Sequence, residues 1–433
     1  MTPGARLAAA IEVFGAIETE RRPAADTLKT WGLTHRFAGS GDRAAIAGLV
    51  YDALRRRASS AFLMGDDSPR ATLLGMLKRE RGLGGDAVAA LANGVGHAPA
   101  ALSEDEKMRL DAAGLDGAAA HIVGDYPEWL DPYFARAFGD ERAQEGAALS
   151  SRAPLDLRVN TLSADRDKVA GMLADLKPEP TRWSPWGLRV RLAADAKSPA
   201  VHAEPAFLKG MVEVQDEGSQ LAALFSGVKA GEQVVDLCAG AGGKTLALAA
   251  MMENKGQIFA TDDDKRRLAP IHDRLARSGG RNVQVRTPKS VGDTIADLAR
   301  RMDLVLIDAP CTGTGAWRRN PDAKWRMRPG ALEQRLKEQA EVLDRAVPLL
   351  KAGGRIAYVT CSVLDEENGA QVRAFLSRQP GFSLQPPADT ANALGERAFM
   401  FAKAARLSEE GILMTPRTTE TDGFFVAVFH RSD

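Results

Sequence analysis

The strongest constraint on the fold is a series of short apolar segments that alternate with helical patterns after residue 225. The segments are "QVVDLC", "QIFATD", "NVQVRT", "DLVLIDAP", "RIAYVTC" and "GFFVAVFH". Strands that alternate with helices in this way are typical of a mainly parallel sheet covered on both faces. The sequence therefore predicts an α/β fold with a doubly wound, mainly parallel sheet, in which a ligand binds beyond the carboxyl ends of the strands.

Length and composition narrow the class of protein. The chain has 433 residues, which is too long for one ordinary core and predicts two or three domains. Lys and Arg together number 57, as do Asp and Glu, so any site for a polyanion must be a local patch. Because no uncharged apolar run of about 18 residues occurs, we expect a cytoplasmic protein without membrane segments. Three cysteines without a CxxC pair argue against a disulfide framework and a zinc site.

The chain divides into three regions by pattern. Residues 1–135 are typical of an all-helical domain, 147–205 of a small α+β segment, and 206–433 of the parallel-sheet domain. A "GSGD" segment that ends at Asp42 predicts the start of one helix. The apolar faces of two helices are formed by Leu7, Ile11, Phe14 and Ile17, and by Ile46, Leu49, Val50 and Leu54.

A glycine-rich turn, "DLCAGAGGKT" at residues 236–245, separates the first of the six segments from a helix. Glycines let the backbone approach a ligand closely, and the helix start offers free N–H groups. Three interpretations compete: a P-loop, whose first glycine is missing here; a tight turn without a ligand; and a nucleoside-type cofactor site. Asp262 ends the next strand 20 residues after Gly242, as an acid for ribose hydroxyls should, and favours the third interpretation. The loop residues placed at the cofactor are Cys238, Ala239, Gly240, Ala241, Gly242, Gly243 and Lys244.

All three cysteines lie at the carboxyl ends of predicted strands. Cys238 precedes the glycines, and a small buried hydrophobic residue is its favoured interpretation. Cys311 and Cys361 each end a strand at the ligand edge. Neighbouring strands lie about 5 Å apart, so two such thiols could serve one substrate. A cysteine in that position can act as a nucleophile when nearby donors stabilise its thiolate.

Several segments together carry a resemblance to a known family. The set "DLCAGAGGKT", "ATDDD", "LIDAPCTGTGAWRRNPDAKW", "GGRIAYVTCSVLDEENGAQV" and "TDGFFVAVF" resembles the Sun/RsmB family of S-adenosylmethionine-dependent RNA cytosine-5 methyltransferases. The ordered pair of a Pro-Cys and a Thr-Cys dipeptide is highly specific to that family. "APLDLRVNTL" is similar to the family's segment before the catalytic domain, and the helical front resembles the NusB-like, RNA-binding domain of bacterial members.

The resemblance implies a Rossmann-like class I methyltransferase domain and a chemistry for both thiols. In this family a thiolate adds to carbon 6 of cytosine, which turns carbon 5 into a nucleophile for the methyl group. By resemblance, Cys361 attacks and Cys311 assists release, while Asp308 lies between the cofactor and the base. Lys244 would add a positive charge near the attacking thiol; the alternative is a helix-start residue that faces solvent. We expect S-adenosylmethionine as the cofactor, no metal, and a monomer.

One departure from the family pattern concerns the adenine contact. The family usually ends its third strand in an acidic residue, whereas this chain has Pro288 near that position, in "NVQVRTPKSVGD". Asp293 lies further on, but nothing in its spacing recommends it as a substitute. The sequence therefore leaves the adenine contact unassigned.

A local basic segment is the expected site for RNA. "WRRNPDAKWRMR", residues 317–328, interleaves Trp317 and Trp325 with basic residues and offers stacking faces and phosphate partners; a solvated basic loop is the alternative. A second cluster, "DALRRRAS" at residues 52–59, is predicted to be an exposed helical face. The resemblance favours ribosomal RNA, with transfer RNA as the alternative. The target cytosine must be unpaired or flipped out. An RNA-binding assembly factor without activity is a further alternative, against which the intact pair of cysteines argues.

Overall fold

The structure is a computed structural model that describes residues 1–112, 114–192, 199–289 and 292–432. The α-helices are α1 Pro3–Glu20, α2 Ala24–Thr34, α3 Ser40–Arg55, α4 Arg57–Met64, α5 Pro69–Arg81, α6 Gly85–Leu91, α7 Glu104–Asp111, α8 Ala120–Val123, α9 Asp131–Phe138, α10 Arg142–Leu149, α11 Arg166–Met172, α12 Pro205–Leu208, α13 Glu217–Phe225, α14 Gly243–Met251, α15 Lys265–Leu268, α16 Ile271–Ser278, α17 Ala323–Arg326, α18 Gly330–Ala346, α19 Gly369–Arg378, α20 Pro387–Ala391 and α21 Ala398–Ala404. The strands are β1 Leu155–Val159, β2 Glu179–Pro180, β3 Gly187–Val190, β4 Val212–Val214, β5 Gln233–Asp236, β6 Gln257–Thr261, β7 Val283–Arg286, β8 Met302–Asp308, β9 Leu350–Thr360, β10 Phe382–Leu384, β11 Arg406–Leu407, β12 Ile412–Met414 and β13 Phe424–Arg431. None of the helices in the described ranges is both long and apolar enough to cross a membrane.

The chain forms two compact units. One, here called the helical unit, comprises Met1–Arg152 and Trp317–Arg328. The other, here called the sheet unit, comprises Ala153–Ala316 and Pro329–Asp433. The finer division of the chain into 1–135, 147–205 and 206–433 stays a prediction.

The helical unit is built on the apolar faces that the sequence indicates. Leu7, Phe14 and Ile17 of α1 are buried in one core, and Ile11 packs against it. Because the interval of three to four residues returns to the same side of a helix, these side chains meet the core together. The four predicted residues of α3 are buried in the same core: Ile46, Leu49, Val50 and Leu54.

The start of α3 lies within the predicted "GSGD" segment. The helix begins at Ser40, with Gly39 as the N-cap, so Asp42 lies inside the first turn. The Asp42 carboxylate accepts a hydrogen bond from Arg6 Nε at 2.8 Å and has a lowered pKa, chiefly because of that bond. A carboxylate in the first turn interacts favourably with the helix dipole, so Asp42 supports the helix start that the segment predicts.

Most of the segment 317–328 is buried or half-buried in the helical unit, so the prediction of exposed stacking faces for RNA is wrong for Trp317 and Trp325. Trp317 is 1% exposed and Lys324 is fully buried. The Trp317 ring stacks on Phe134 at a centroid distance of 5.8 Å. Trp325 donates from Nε1 to the carbonyl oxygen of Leu54 at 2.7 Å. These aromatic side chains fill core space and are therefore not free to stack on bases.

The basic cluster at 52–59 is also not an exposed helical face. Arg55 is buried, and its Nη2 donates to the carbonyl oxygen of Arg318 at 3.0 Å. Arg56 pairs with Glu80 at 2.7 Å, and Arg57 pairs with Glu18. The cluster lies where α3 ends and α4 begins, and these positive charges are paired inside the unit.

A small antiparallel sheet opens the sheet unit. Its order is β2-β3-β1-β4, and α11 lies between β1 and β2 in the chain. Strands β1 and β3 and helix α11 all lie within residues 147–205, which the sequence predicts to be a small α+β segment. The short strands β2 and β4 complete the sheet.

The main sheet has the order β11-β12-β13-β9-β8-β5-β6-β7, and β10 also pairs with β13. Strands β5 to β9 pair in parallel, and β13 is antiparallel to β9. All six predicted strands are present, and the predicted doubly wound, mainly parallel fold is confirmed. The chain runs outward from β5 in one direction and from β8 in the other, so the switch point lies between these two strands. A crevice forms there for a ligand.

Candidate functional site

The glycine loop leads from β5 into α14 at the switch point. Gly240 and Gly242 have φ angles of +49° and +84°, a backbone region that side chains disfavour. A Cβ atom on Gly242 would lie 2.5 Å from Cγ1 of Ile271, so only glycine fits there. The loop therefore has the open, backbone-lined shape that a bound nucleoside requires.

Asp236 lies at the end of β5, beneath the loop. Its carboxyl group is fully buried and accepts a hydrogen bond from Thr245 Oγ1 at 2.7 Å. Burial raises the pKa of Asp236 to about 7; the hydrogen bond from Thr245 and the charge of Lys244 lower it, and Asp308 and Asp262 raise it further. The site thus concentrates carboxylates around a single buried lysine.

Asp262 follows β6 and is 3% exposed. Its Oδ2 accepts from the backbone N–H of Gly240 at 2.9 Å, and its Oδ1 accepts from that of Asp264 at 2.9 Å. Each carboxylate oxygen has two lone pairs, so both can still accept from ribose hydroxyls. The carboxylate also lines a cleft of about 510 Å³. A buried carboxylate beside the glycine loop fits the ribose hydroxyls of S-adenosylmethionine.

The same cleft is lined by the two residues that the sequence raised for the adenine contact, the proline found where an acid is usual and the aspartate further on. Pro288 and Asp293 line it together with Asp262. Asp293 accepts from the N–H of Ile295 at 3.1 Å and lies 3.7 Å from Arg345. The spacing of Asp293 gave no reason to choose it, because its approach to the cleft depends on how the chain turns after β7.

The two strand-end cysteines meet in the structure. Strands β8 and β9 are parallel neighbours, and the Sγ atoms of Cys311 and Cys361 lie 3.3 Å apart. The pKa of Cys311 is raised well above its usual value, first by the side-chain contact with Cys361 and then by burial. Cys311 therefore retains its proton and can donate it toward the Cys361 sulfur. Two thiols at one point of the ligand edge are the arrangement that the strand ends predicted.

Hydrogen bonds join the two loops that carry these thiols. Gly315 donates from its N–H to the carbonyl oxygen of Cys361 at 2.9 Å. Thr314 Oγ1 lies 3.0 Å from Ser362 Oγ. A Cβ atom on Gly315 would lie 2.1 Å from the carbonyl oxygen of Gly423, so the segment before β13 packs at backbone distance against the loop that carries Cys311. The relative position of the thiols is thus fixed by several contacts.

Lys244 and Asp308 form an ion pair beside the glycine loop. Nζ of Lys244 lies 2.7 Å from Oδ2 of Asp308, and the lysine side chain is 6% exposed against 35% for the aspartate. Nζ also lies 5.1 Å from the ring centroid of Phe424. The alternative of a lysine that faces solvent is therefore wrong. The aspartate is the more accessible partner and can meet a ligand.

Cys238 has hydrophobic surroundings. It packs against the hydrophobic cluster beneath the sheet that includes Val235 and Leu237, and burial raises its pKa well above the usual value. This is the environment of a small hydrophobic residue, as its favoured interpretation expects.

Two family models match this chain. A family model described as 16S rRNA methyltransferase RsmB/F matches residues 224–430, and a model described as the ferredoxin-like domain of RsmF/B-like methyltransferases matches 126–197. The ribosomal RNA small subunit methyltransferase B of Salmonella arizonae is 35% identical over 306 residues, which are 70% of this chain and 65% of that protein. The protein of the same name from Citrobacter koseri is 34% identical over 304 residues, with the same two shares. The chain thus spans somewhat less than two thirds of these relatives.

Solved structures agree with the sequence relatives. A methyltransferase homologue from Pyrococcus horikoshii is 27% identical with a TM-score of 0.59, over 72% of this chain and 97% of that one. A protein named PH0851 is 25% identical with a TM-score of 0.71, over 100% of this chain and 99% of that one.

Sheet order, the glycine loop and the acidic residue after the next strand fit a nucleoside-type cofactor. Together with the matching family models and the methyltransferase homologue, they place the chain in the class of S-adenosylmethionine-dependent methyltransferases. Within that class the chain belongs to the RsmB/F family. The predicted family and cofactor are thereby confirmed, and the P-loop interpretation of the glycine loop falls away. The NusB-like character of the helical unit stays a prediction.

Proposed function

We propose that this protein transfers a methyl group from S-adenosylmethionine to carbon 5 of a cytosine in RNA, through a covalent adduct of Cys361 at carbon 6. The observation that carries the proposal is the distance of 3.3 Å between the thiols of Cys361 and Cys311 at the switch-point edge of the sheet. A single cysteine would be enough for a purely structural role, and a methyl transfer without a covalent adduct would not need a second thiol. Two in contact suit a reaction in which sulfur must first attack and then be eliminated.

The roles of the two thiols are those that the family resemblance implies, and the contact between their sulfur atoms supports them. Cys311 retains its proton because its pKa is raised, so it can donate a hydrogen bond to Cys361 and stabilise the thiolate of its neighbour. The Cys361 thiolate adds to carbon 6, forming a carbon–sulfur bond and making carbon 5 an enamine nucleophile. S-adenosylmethionine held by Asp262 and the glycine loop would supply the methyl group to that carbon as a sulfonium electrophile, and S-adenosylhomocysteine would be the leaving group. The proton on carbon 5 then leaves to a base or water, the carbon–sulfur electrons depart with Cys361, and Cys311 donates to the departing sulfur.

The remaining site residues orient the base and hold the cofactor. Asp308 can accept from the exocyclic amino group of cytosine, and Lys244 holds its carboxylate in place at 2.7 Å. Asp262 and the glycine loop would hold the nucleoside part of the cofactor. None of these assignments requires a metal ion.

We assign the RNA substrate to the ribosomal small subunit, with transfer RNA as the alternative. The curated relatives from Salmonella and Citrobacter are named as ribosomal RNA small subunit methyltransferases, which supports the first assignment. Bisulfite sequencing of RNA from a strain that lacks the gene should show one cytosine that has lost protection in the 16S molecule. Loss of protection in transfer RNA alone would favour the alternative.

The test of the mechanism separates the two thiols. C361A should abolish methyl transfer from tritiated S-adenosylmethionine to RNA, because no adduct can form. C311A should still attack and transfer, but release slows, since general acid–base assistance contributes about 10²–10⁴-fold. A protein–RNA adduct should then accumulate and appear as a retarded, ribonuclease-sensitive band on a denaturing gel.

Two results would contradict these roles. A trapped band for C361A with none for C311A would mean that the roles are reversed. The double variant should show no band and serves as the control. If the wild-type protein binds RNA but transfers no label to any RNA fraction, the inactive assembly factor becomes the better account.

A further inference from the structure

A buried carboxylate outside the proposed mechanism lies next to the thiols. Glu367 is fully buried on the short turn that follows β9 and Cys361. Its backbone carbonyl oxygen accepts from the hydroxyl of Tyr358, a residue of β9, at 2.7 Å. The side chain is therefore held on the part of the chain that carries one cysteine while it points to the part that carries the other.

The Glu367 carboxylate binds Thr312, on one side of Cys311, directly, and it reaches Pro310, on the other side, through Gln339. Thr312 donates to Oε1 from its N–H at 2.8 Å and to Oε2 from its hydroxyl. Gln339 of α18 donates from Nε2 to Oε1 of Glu367 at 3.0 Å and to the carbonyl oxygen of Pro310 at 2.9 Å. Pro310 and Thr312 are the two neighbours of Cys311, so their backbone is fixed through one carboxylate.

The groups around the Glu367 side chain are hydrogen-bond donors, which suit the deprotonated carboxylate. A backbone N–H and an amide NH₂ can only donate, and a carboxylate can only accept. Burial raises the pKa of Glu367, and the hydrogen bonds from Ser362, Thr312 and Gln339 oppose that rise. Burying this carboxylate costs free energy. A residue that only filled space would be apolar, so the cost indicates that the contacts of Glu367 matter.

We propose that Glu367 is a positioning residue that holds the Cys311 thiol against Cys361, and that it thereby sets the rate at which the adduct is released. The consequence for release rests on the proposed function. The positioning rests only on the contacts of Glu367 with Thr312 and Gln339.

The experiment compares two substitutions at this position. In E367Q, the amide oxygen can accept from Thr312 N–H and Gln339, and the amide NH₂ can donate to the Thr312 hydroxyl, which also accepts. In E367A, all of these contacts are lost. Because a displacement of about 1 Å can slow a reaction on the order of 10²-fold, E367A should slow release about 100-fold and trap the RNA adduct. E367Q should lose much less, on the order of threefold, and show little adduct.

The controls separate positioning from a loss of folding. D365N changes a carboxylate on the same turn that pairs with Arg373 and does not contact the Cys311 loop, so it should show no adduct. S-adenosylmethionine affinity measured by calorimetry should be the same for E367A and the wild-type protein. T312V removes only the hydroxyl donor and should give an intermediate amount of adduct, and it carries the test if E367A does not fold.

The outcomes distinguish this inference from the function on which it rests. If C311A traps no adduct, the proposed function fails. If C311A traps the adduct while E367A and T312V do not, the function stands and the positioning role of Glu367 is wrong. Equal impairment of E367Q and E367A would also overturn it, because the amide preserves the contacts.

Discussion

At the scale of single residues, Asp262 shows how a buried carboxylate can be prepared for a ligand. Two backbone N–H groups hold its oxygens, and each oxygen has a second lone pair with which it can accept a further hydrogen bond. The fixed carboxylate loses little side-chain entropy when a ribose binds. The hydrogen bonds that it forms there involve a charged acceptor and are therefore among the stronger ones.

We expect D262A to weaken S-adenosylmethionine binding by about 1.5–3 kcal/mol, the range for a hydrogen bond to a charged group. Isothermal calorimetry on the folded variant measures this change. D264N is the matched control, since the neighbouring Asp264 caps α15 with an oxygen that Asn retains. An unchanged affinity in D262A would show that the ribose is bound elsewhere.

Asp236 makes stability depend on pH. Its pKa in the folded protein is about 7, against 3.8 for the ordinary carboxyl group. The folded state therefore binds more protons than the unfolded state between these values, and stability falls as the pH rises through that window. The full difference is on the order of 4 kcal/mol at 1.36 kcal/mol per pKa unit.

In D236N, which has no titrating carboxyl group, this loss should be absent. The difference in melting temperature between the wild-type protein and D236N should shift in favour of the variant as the pH rises from about 4 to 7. D264N should show no such shift, because Asp264 is exposed. A difference between D236N and wild type that stays constant over this window would mean that Asp236 titrates normally.

At the scale of elements, the segment that contains α17 is fastened by a buried lysine. Lys324 donates from Nζ to the carbonyl oxygens of Arg55 and Asp125, at 3.0 and 2.5 Å, and to Ser150 Oγ at 2.7 Å. Burial lowers the pKa of Lys324 to about 7, and the charge of Asp125 opposes that change. All three hydrogens of the ammonium group thus have acceptors, and the Asp125 carboxylate lies close enough to interact with its charge.

We expect K324M to destabilise the helical unit by about 3–5 kcal/mol, because it leaves the Asp125 charge buried without its main counter-charge. D125N should destabilise as well, and the double variant should lose less than the sum of the two. Calorimetric unfolding of the full chain measures these changes. K337M, on the partly exposed surface of α18, is the control and should change little. Additive effects of K324M and D125N would mean that the two charges do not interact.

The same segment shows where sequence reasoning succeeds and fails. The strands of the main sheet were predictable because each is a short apolar run bounded by turn residues. Asp262 was predictable from its interval after Gly242. The burial of Lys324 was not, because its acceptors at Arg55 and Asp125 lie 269 and 199 residues away in the chain. A basic, aromatic segment has the composition of a surface loop, and only these distant contacts make it part of a core. Glu367 was missed for the same reason, since a carboxylate in "DEEN" carries no sign that it is buried.

At the scale of the whole molecule, the helical unit takes residues from two parts of the chain. The segment 317–328 lies between Cys311 and α18 in sequence but belongs to the helical unit. The front of the chain therefore cannot be removed without depriving Trp317 and Lys324 of the residues that bury them. A buried aromatic side chain of this size covers about 150–250 Å², which corresponds to about 4–6 kcal/mol at 25 cal/mol per Å².

We therefore expect a chain that begins at residue 153 to be less soluble than the full chain and to melt at a lower temperature, although it retains the glycine loop and Asp262. Its tryptophan emission should shift to longer wavelength as Trp317 becomes exposed, and W317S together with K324S should restore part of the solubility. In the full-length protein, W317S should instead destabilise, because it opens a cavity against Phe134. The opposite signs in the two backgrounds are the diagnostic result. A truncated chain that melts like the full-length protein would show that segment 317–328 does not depend on the helices around it.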